Sequence, residues 1–375
     1  MKIAMLGHKR IPSREGGVEI VVEELATRMV QRGHDVTCYN RKGKHVMDKS
    51  IEENHLSEYK GIHLKSVLTI DKKGLSAMSA SFFASIQAAF SNCDVVHFHA
   101  EGPCATLWIP KLFGKRCIAT IHGLDHQRAK WGKLASTYIM MGEKCAVKYA
   151  EEIIVLSKGV QEYFQKTYGR KTVFIPNGVN KPSIIEANLI KKRFKLNKND
   201  YILYLGRIVP EKGIHYLIEA YSQIKTDKKL VIAGGSSDTD EYLKELKKMA
   251  NHNKNIVFTG FVQGQILDEL YSNAYIYCLP SDLEGMPLSL LEAMSYGNCC
   301  LVSDIEECSS VVDDKAVIFK KSDVEDLKNK LTSLVNDSQL VNKYKEEAAD
   351  YILSKYDWDK VTDKTLGLYE SNKKY

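Results

Sequence analysis

An α/β architecture of two Rossmann-like domains, each built on a parallel sheet, is predicted by three observations. The chain has 375 residues, more than one hydrophobic core ordinarily serves, so two domains are expected. Short apolar runs alternate with amphipathic stretches, the pattern of parallel strands joined by crossover helices. The two halves also read as the same strand–helix arrangement twice, although no repeat is visible as sequence identity.

Composition narrows the class. With 44% hydrophobic and 27% charged residues the chain is ordinary globular protein. Met1-Lys2 runs straight into the apolar Ile3 to Leu6, which reads as a core strand and not as an export signal. The most apolar-leaning stretch, Leu75 to Phe90, is too short and too rich in serine to span a bilayer. Nine scattered cysteines without a C-x-x-C predict reduced thiols in the cytoplasm and no zinc site. The net charge of +6 is uneven: residues 1–190 hold 27 Lys/Arg against 18 Asp/Glu, and the remainder 26 against 29. A basic first half is either a solvated face or a surface for an anionic partner such as a lipid phosphate on the inner face of the plasma membrane. Nucleic acid is not expected, because the basic residues form no aromatic-interleaved stripe.

In the first half, Ile3 to Leu6 is followed by the loop Gly7-His8-Lys9-Arg10-Ile11-Pro12-Ser13-Arg14-Glu15-Gly16-Gly17 and a helix over Val18 to Gln31, with apolar positions at 18, 21, 22, 25, 29 and 30. Strand, glycine-bearing loop and helix bring backbone close to a ligand, although turns use Gly-Gly pairs too. No G-x-G-x-x-G is present, so a dinucleotide site is not supported. Further strands are expected at Val36 to Tyr39, His63 to Leu68, Val95 to His99, Cys117 to Ile121 and Ile153 to Leu156. His122-Gly123 then falls at a strand's carboxyl end, where α/β folds keep ligand contacts. His97 and His99 share a strand face; without a nearby carboxylate or cysteine they read as packed or acceptor-side residues and not as a metal pair. A strand over Lys171 to Ile175 ends at Pro176-Asn177-Gly178-Val179, and the polar run Asn180 to Asn199 reads as linker and helix. The domain boundary is set at 185/186, with a final helix from about 357 returning to the first domain.

The second half opens with the strand Tyr201 to Leu205 and the loop Gly206-Arg207-Ile208-Val209-Pro210-Glu211-Lys212-Gly213. Arg207 supplies a planar fork and Lys212 a point charge at one strand end, a pair suited to a diphosphate, or else two surface cations. After the strand Leu230 to Ala233, Asp238-Thr239-Asp240 reads as an N-terminal helix cap and not as a metal-binding D-x-D. Asn255 to Gly260 is a strand leading to Phe261-Val262. The stretch from Tyr277 to Gly297 is again strand, loop and helix, with Pro287 placed in the first helical turn. The helix start is an anion site. Glu284 lies in the loop before it and Glu292 lies five residues past Pro287, either solvated charges or groups suited to sugar hydroxyls.

Glu284 and Glu292 form an E-x7-E pattern, and Pro280-Ser281-(x2)-Glu284-Gly285-(x)-Pro287-Leu288-(x2)-Leu291-Glu292-Ala293 resembles the signature of family 4 retaining glycosyltransferases of GT-B fold. Gly206-Arg207-(x4)-Lys212-Gly213, the I-P-N-G-V landmark at 175–179 and the closing Tyr356-(x)-Trp358 agree in order, so the resemblance covers nearly the whole chain. The long loop from Gly7 to Gly17 resembles a subgroup tied to surface-polysaccharide assembly, rhamnosyltransferases included.

The resemblance implies two domains facing across a cleft and sugar transfer from a nucleoside diphosphate, with UDP- or dTDP-sugars expected and dTDP-rhamnose among them. It implies a saccharide acceptor, lipid-linked in this subgroup, and no metal or other cofactor. Residue by residue, it implies that Arg207 and Lys212 neutralise the leaving diphosphate, that Gly16 and Gly17 contact the donor or acceptor, and that Phe261 and Val262 hold the base. It further implies that Gly285, Met286, Pro287 and Leu288 meet the donor, Glu292 the ribose, Glu284 the sugar, and His122 the sugar from the first domain. An epimerase or phosphorylase of the same fold, or a silent nucleotide-sugar-binding subunit, are the alternatives.

Overall fold

The computed structural model describes residues 1–43, 56–72, 74–127, 132–236, 239–250 and 253–370. They form two units, each on its own sheet: Met1–Asn177 together with the chain from Trp358, and Gly178–Asp357. The division falls at 177/178 and not at 185/186, because Val179 bridges in parallel to Asp357 and its amide donates to the Tyr356 carbonyl at 2.9 Å.

The first unit contains strands β1 (Lys2–Leu6), β2 (Asp35–Arg41), β3 (Glu58–Tyr59), β4 (Ile62–Val67), β5 (Val95–His99), β6 (Arg116–Ile121), β7 (Glu152–Val155) and β8 (Val173–Phe174). Helices α1 (Gly17–Gln31), α2 (Leu75–Ala89), α3 (Trp108–Leu112), α4 (Lys133–Tyr149) and α5 (Lys158–Tyr168) lie between them. Sheet order is β3-β4-β2-β1-β5-β6-β7-β8, parallel except for β3. The chain therefore winds outward from β1 in one direction and from β5 in the other. Ile3, Ala4, Met5 and Leu6 are all buried, as a strand covered on both faces requires.

The second unit contains β9 (Tyr201–Leu205), β10 (Lys229–Ala233), β11 (Ile256–Gly260), β12 (Ile276–Leu279), β13 (Cys299–Ser303) and β14 (Val317–Phe319), in the order β11-β10-β9-β12-β13-β14 and parallel throughout. Its helices are α6 (Leu189–Phe194), α7 (Ile214–Ser222), α8 (Asp240–Met249), α9 (Gln265–Asn273), α10 (Leu288–Ser295), α11 (Glu306–Val312), α12 (Val324–Asn336) and α13 (Ser338–Lys355). The winding reverses between β9 and β12, the place where such sheets hold ligands outside the strands' carboxyl ends.

In both units one glycine lets the two loops beside the reversal touch. Gly7 has φ +108 and an added Cβ would lie 2.1 Å from the His99 carbonyl oxygen; Gly213 has φ +64 and its Cβ would lie 2.0 Å from the Pro280 oxygen. Neither position admits a side chain without moving backbone.

Helix α14 (Trp358–Glu370) belongs to the first unit. Arg32 reaches Asp359 at 2.9 Å and Asp363 at 2.8 Å, Arg116 donates to the Leu368 carbonyl at 2.7 Å, and the Tyr369 hydroxyl meets buried His97 Nδ1 at 2.6 Å. His97 Nε2 lies 2.7 Å from Thr120 Oγ1, so His97 is a packed residue.

Burial lowers His97 from 6.5 to about 3 and His8 to about 4. Both stay neutral in the folded protein, whereas the unfolded chain protonates them below about pH 6.5. The unfolded state then holds more protons, so stability falls as pH drops from 6.5 towards 4, by up to about 1.4 kcal/mol per pH unit for each histidine. Burial raises the Glu101 carboxyl, which acts in the opposite sense. The histidine contribution is therefore read by comparing proteins: His97→Gln is expected to show a shallower loss of urea-unfolding free energy over this window than the parent, and parallel curves would contradict it.

Candidate functional site

Two loops leave the centre of the second sheet side by side. The one after β9 carries Gly206, Arg207 and, in a 3-10 turn, Lys212; the one after β12 carries Ser281 to Pro287 and runs into α10. They are tied together. Asp282 donates its amide to the Glu211 carbonyl at 2.9 Å, the Tyr216 hydroxyl donates to Asp282 at 3.2 Å, and the Tyr204 hydroxyl donates to the Arg207 carbonyl at 2.8 Å.

Within this pair of loops, Lys212 Nζ donates to Glu284 Oε1, and the Ser281 hydroxyl donates to the same oxygen at 2.7 Å. The Glu284 and Lys212 side chains retain only 7% and 12% exposure, so the ion pair is shielded from water. Among the described residues the Arg207 guanidinium makes no ion pair or hydrogen bond, and the residue is half-buried.

Pro287 is not in the first turn of α10 but immediately before it, with φ −77 and ψ 100, and as N-cap residue it has no side chain able to cap the helix. The first turn thus keeps its positive dipole end for another group. Gly285, Met286 and Pro287 are buried and Leu288 half-buried. Glu292, one turn in, accepts from the buried Tyr271 hydroxyl at 3.1 Å. The buried Tyr277 hydroxyl sits 2.9 Å from Ser289 Oγ and 3.3 Å from the Leu205 carbonyl, linking α10 to β9. Burial raises both phenols, which remain protonated. The sequence alone assigns no role to these tyrosines; for Tyr277 the hydroxyl-bearing Tyr275-Ile276-Tyr277 inside an apolar run is the available signal. Val262 is buried and Phe261 is 45% exposed beside Gly235, whose added Cβ would lie 3.6 Å from Phe261 Cβ.

Within the expected helix cap at 238–240, Thr239 is not the capping side chain. Thr239 precedes α8 with no side-chain cap; its hydroxyl donates instead to the Ile208 carbonyl, and Asp240 accepts from the Ser236 hydroxyl. Asp238 lies outside the described residues.

In the first unit, Gly16 precedes α1 in extended conformation and Gly17 begins it. The Glu19 carboxylate folds back over this start: it accepts from the Lys9 amide at 2.7 Å, and an added Cβ on Gly16 would lie 2.3 Å from its other oxygen. A protein carboxylate therefore already occupies part of the anion position. His122 follows β6, and its Nε2 lies 3.1 Å from His99 Nδ1; burial lowers His99 well below the usual imidazole range. His99 thus positions His122, while His97 does not touch it by hydrogen bond.

Set against known proteins, residues 15–181 match the family described as Glycosyltransferase Family 4, and residues 186–351 match Glycosyl transferases group 1. The chain is a glycosyltransferase, its first half similar to family 4 and its second to group 1. It is 25% identical to an uncharacterised glycosyltransferase of Methanocaldococcus jannaschii, covering 99% of this chain and 98% of that one. An Escherichia coli UDP-Gal:alpha-D-GlcNAc-diphosphoundecaprenol alpha-1,3-galactosyltransferase is 26% identical over 74% of this chain and 75% of that one. The Anabaena protein HepE, solved with UDP and glucose, matches the transferase with a TM-score of 0.82 at 17% identity, covering 99% of this chain and 100% of that one. This last likeness shows the GT-B fold.

Proposed function

We propose that this glycosyltransferase moves a sugar from a UDP- or dTDP-linked donor, dTDP-rhamnose among them, to a lipid-linked saccharide, with retention of configuration. The observation carrying the reading is the second sheet's reversal point, where Arg207, Lys212 and the proline-led start of α10 leave adjoining strand ends. As the sugar departs, negative charge gathers on the diphosphate, and fixed cations with a helix dipole stabilise it. In this reading Glu292, oriented by Tyr271, holds the ribose, Glu284 the sugar, and the backbone at Phe261 and Val262 the base. Gly16, Gly17 and His122 serve the sugar and acceptor from the first unit. The leaving phosphate oxygen takes the acceptor's proton, so no protein nucleophile is needed. No resident metal is needed for the charge either.

The HepE complex with UDP and the galactosyltransferase's UDP-Gal donor support a uridine nucleotide. The long loop from Gly7 to Gly17 supports the rhamnosyl assignment. Thermal-shift measurements with UDP, dTDP, GDP and ADP test the donor, since preferential binding raises the midpoint by mass action. A shift confined to UDP or dTDP is expected; one confined to GDP or ADP, or none, would overturn it.

For the acceptor, no helix among the described residues is long and apolar enough to cross a membrane. α3 exposes Trp108 (40%) and Leu112 (74%), Phe113 (52%) follows it with Phe90 edge-on at 4.7 Å, and the same stretch carries Lys111, paired with Glu151, and Lys115, which donates to the Ser91 and Cys93 carbonyls. Aromatic and basic residues together suit a headgroup boundary. Liposomes containing anionic lipid are expected to sediment the protein at low salt, and Phe113→Ser with Leu112→Ser to reduce it; equal sedimentation with neutral liposomes would count against membrane docking.

A further inference from the structure

Three polar atoms from three different elements converge inside the first unit. Glu101 follows β5, His126 lies in the short 3-10 turn after β6, and Glu143 sits within α4. His126 Nδ1 is 3.6 Å from Glu101 Oε1 and 3.6 Å from Glu143 Oε2, and the three atoms all lie within 4.8 Å of one another. Both glutamates are fully buried, and among the described residues these three atoms have no hydrogen-bond partner except where one carboxyl holds a proton and donates it to the other. Unsatisfied buried carboxylate oxygens are costly, and two side by side more so.

The surroundings are built to hold them there. Glu101 Oε2 accepts from the Asp125 amide at 2.7 Å; Glu143 Oε1 accepts from the Tyr163 hydroxyl at 3.0 Å and from the Tyr168 hydroxyl. Each carboxylate is thus oriented through one oxygen while the other faces His126, the arrangement by which outer-shell donors aim metal ligands. Gly142 completes the approach: a Cβ there would lie 2.0 Å from the Glu101 carbonyl oxygen, so only glycine lets α4 bring Glu143 this near. A separation of 3.6 Å is too long for a hydrogen bond. It is the edge of a tetrahedral site with bonds of roughly 2.2 Å.

We propose that Glu101, His126 and Glu143 bind one divalent transition-metal ion. Two carboxylates and an imidazole suit Mn²⁺ or Zn²⁺, whereas Mg²⁺ and Ca²⁺ prefer oxygen alone. Its role is positional: His126 and Asp125 share the loop that begins at His122, so the ion fastens that loop to α4 and to the turn after β5. It takes no part in diphosphate departure and does not rest on the proposed sugar-transfer reading.

The full chain, stripped with EDTA and desalted, is titrated with Mn²⁺ and separately with Zn²⁺, following bound metal by loss of the free Mn²⁺ EPR signal and by elemental analysis. About one ion per chain is expected, with a raised thermal midpoint, and binding weakened at least about 10-fold in both His126→Asn and Glu143→Gln. His126→Asn changes the least buried ligand, so it guards against loss of fold, which circular dichroism monitors. UDP affinity should be unchanged in both variants, which separates failure of this site from failure of the donor reading. Absence of binding by either ion, or equal stoichiometry and affinity in parent and His126→Asn, would overturn the proposal.

Discussion

Replacing Arg207 by alanine is expected to lower kcat/KM for sugar transfer by about 10²- to 10³-fold, the loss seen when one preorganised charge-stabilising donor is removed. Stability should hardly change. The guanidinium has no protein partner among the described residues, so its removal strands no buried charge. A thermal midpoint within about 2 °C of the parent follows. Arg207→Lys should recover only part of the loss, because a point charge cannot reproduce a planar fork against two phosphate oxygens. Steady-state kinetics with the donor found by the nucleotide screen checks this, and near-normal kcat/KM in Arg207→Ala would remove the residue from the site.

Lys212 should behave differently, because it is paired. Its ammonium meets Glu284 at a position where both side chains are almost wholly covered. Lys212→Met removes one partner and leaves a buried carboxylate held, among the described residues, only by the Ser281 hydroxyl. Breaking such a pair typically costs about 3–5 kcal/mol, or roughly 10 °C in a unit of this size. The double variant Lys212→Met with Glu284→Gln removes the stranded charge and should regain most of that stability, while transfer stays about 10²-fold or more below the parent. Calorimetry beside activity across the four proteins makes the cycle. If the double variant were as unstable as Lys212→Met alone, the ion pair would not be what holds the two loops.

The contrast between these residues shows what the sequence carried. Alternation of Tyr201 to Leu205, Leu230 to Ala233 and Cys299 to Ser303 with amphipathic stretches was enough for the parallel α/β architecture, because strands buried on both faces are continuously apolar. Arg207 and Lys212 stood out through their spacing and the glycines around them. That Lys212 pairs with Glu284, 72 residues on, was not legible, since no local pattern encodes which cation a carboxylate meets. Thr239, in the run expected to cap α8, donates instead to the Ile208 carbonyl, a tertiary partner that no local pattern reveals. Pro287 was placed one residue too far into its helix, within the usual uncertainty of helix ends. Glu101, His126 and Glu143 share no motif spacing, and the sheet order alone brings them together.

Calorimetric titration of UDP and UMP into the protein in excess EDTA most directly tests whether side-chain cations and the α10 dipole receive the pyrophosphate. Chelation removes the cation inferred in the first unit and lowers the midpoint, so the titration is run well below it. UDP is expected to bind about 10²-fold more tightly than UMP, the worth of one to two charge-assisted contacts, and Arg207→Ala to erase most of that difference. Equal affinities for the two nucleotides, or a UDP preference that appears only when Mg²⁺ or Mn²⁺ is restored, would contradict the account.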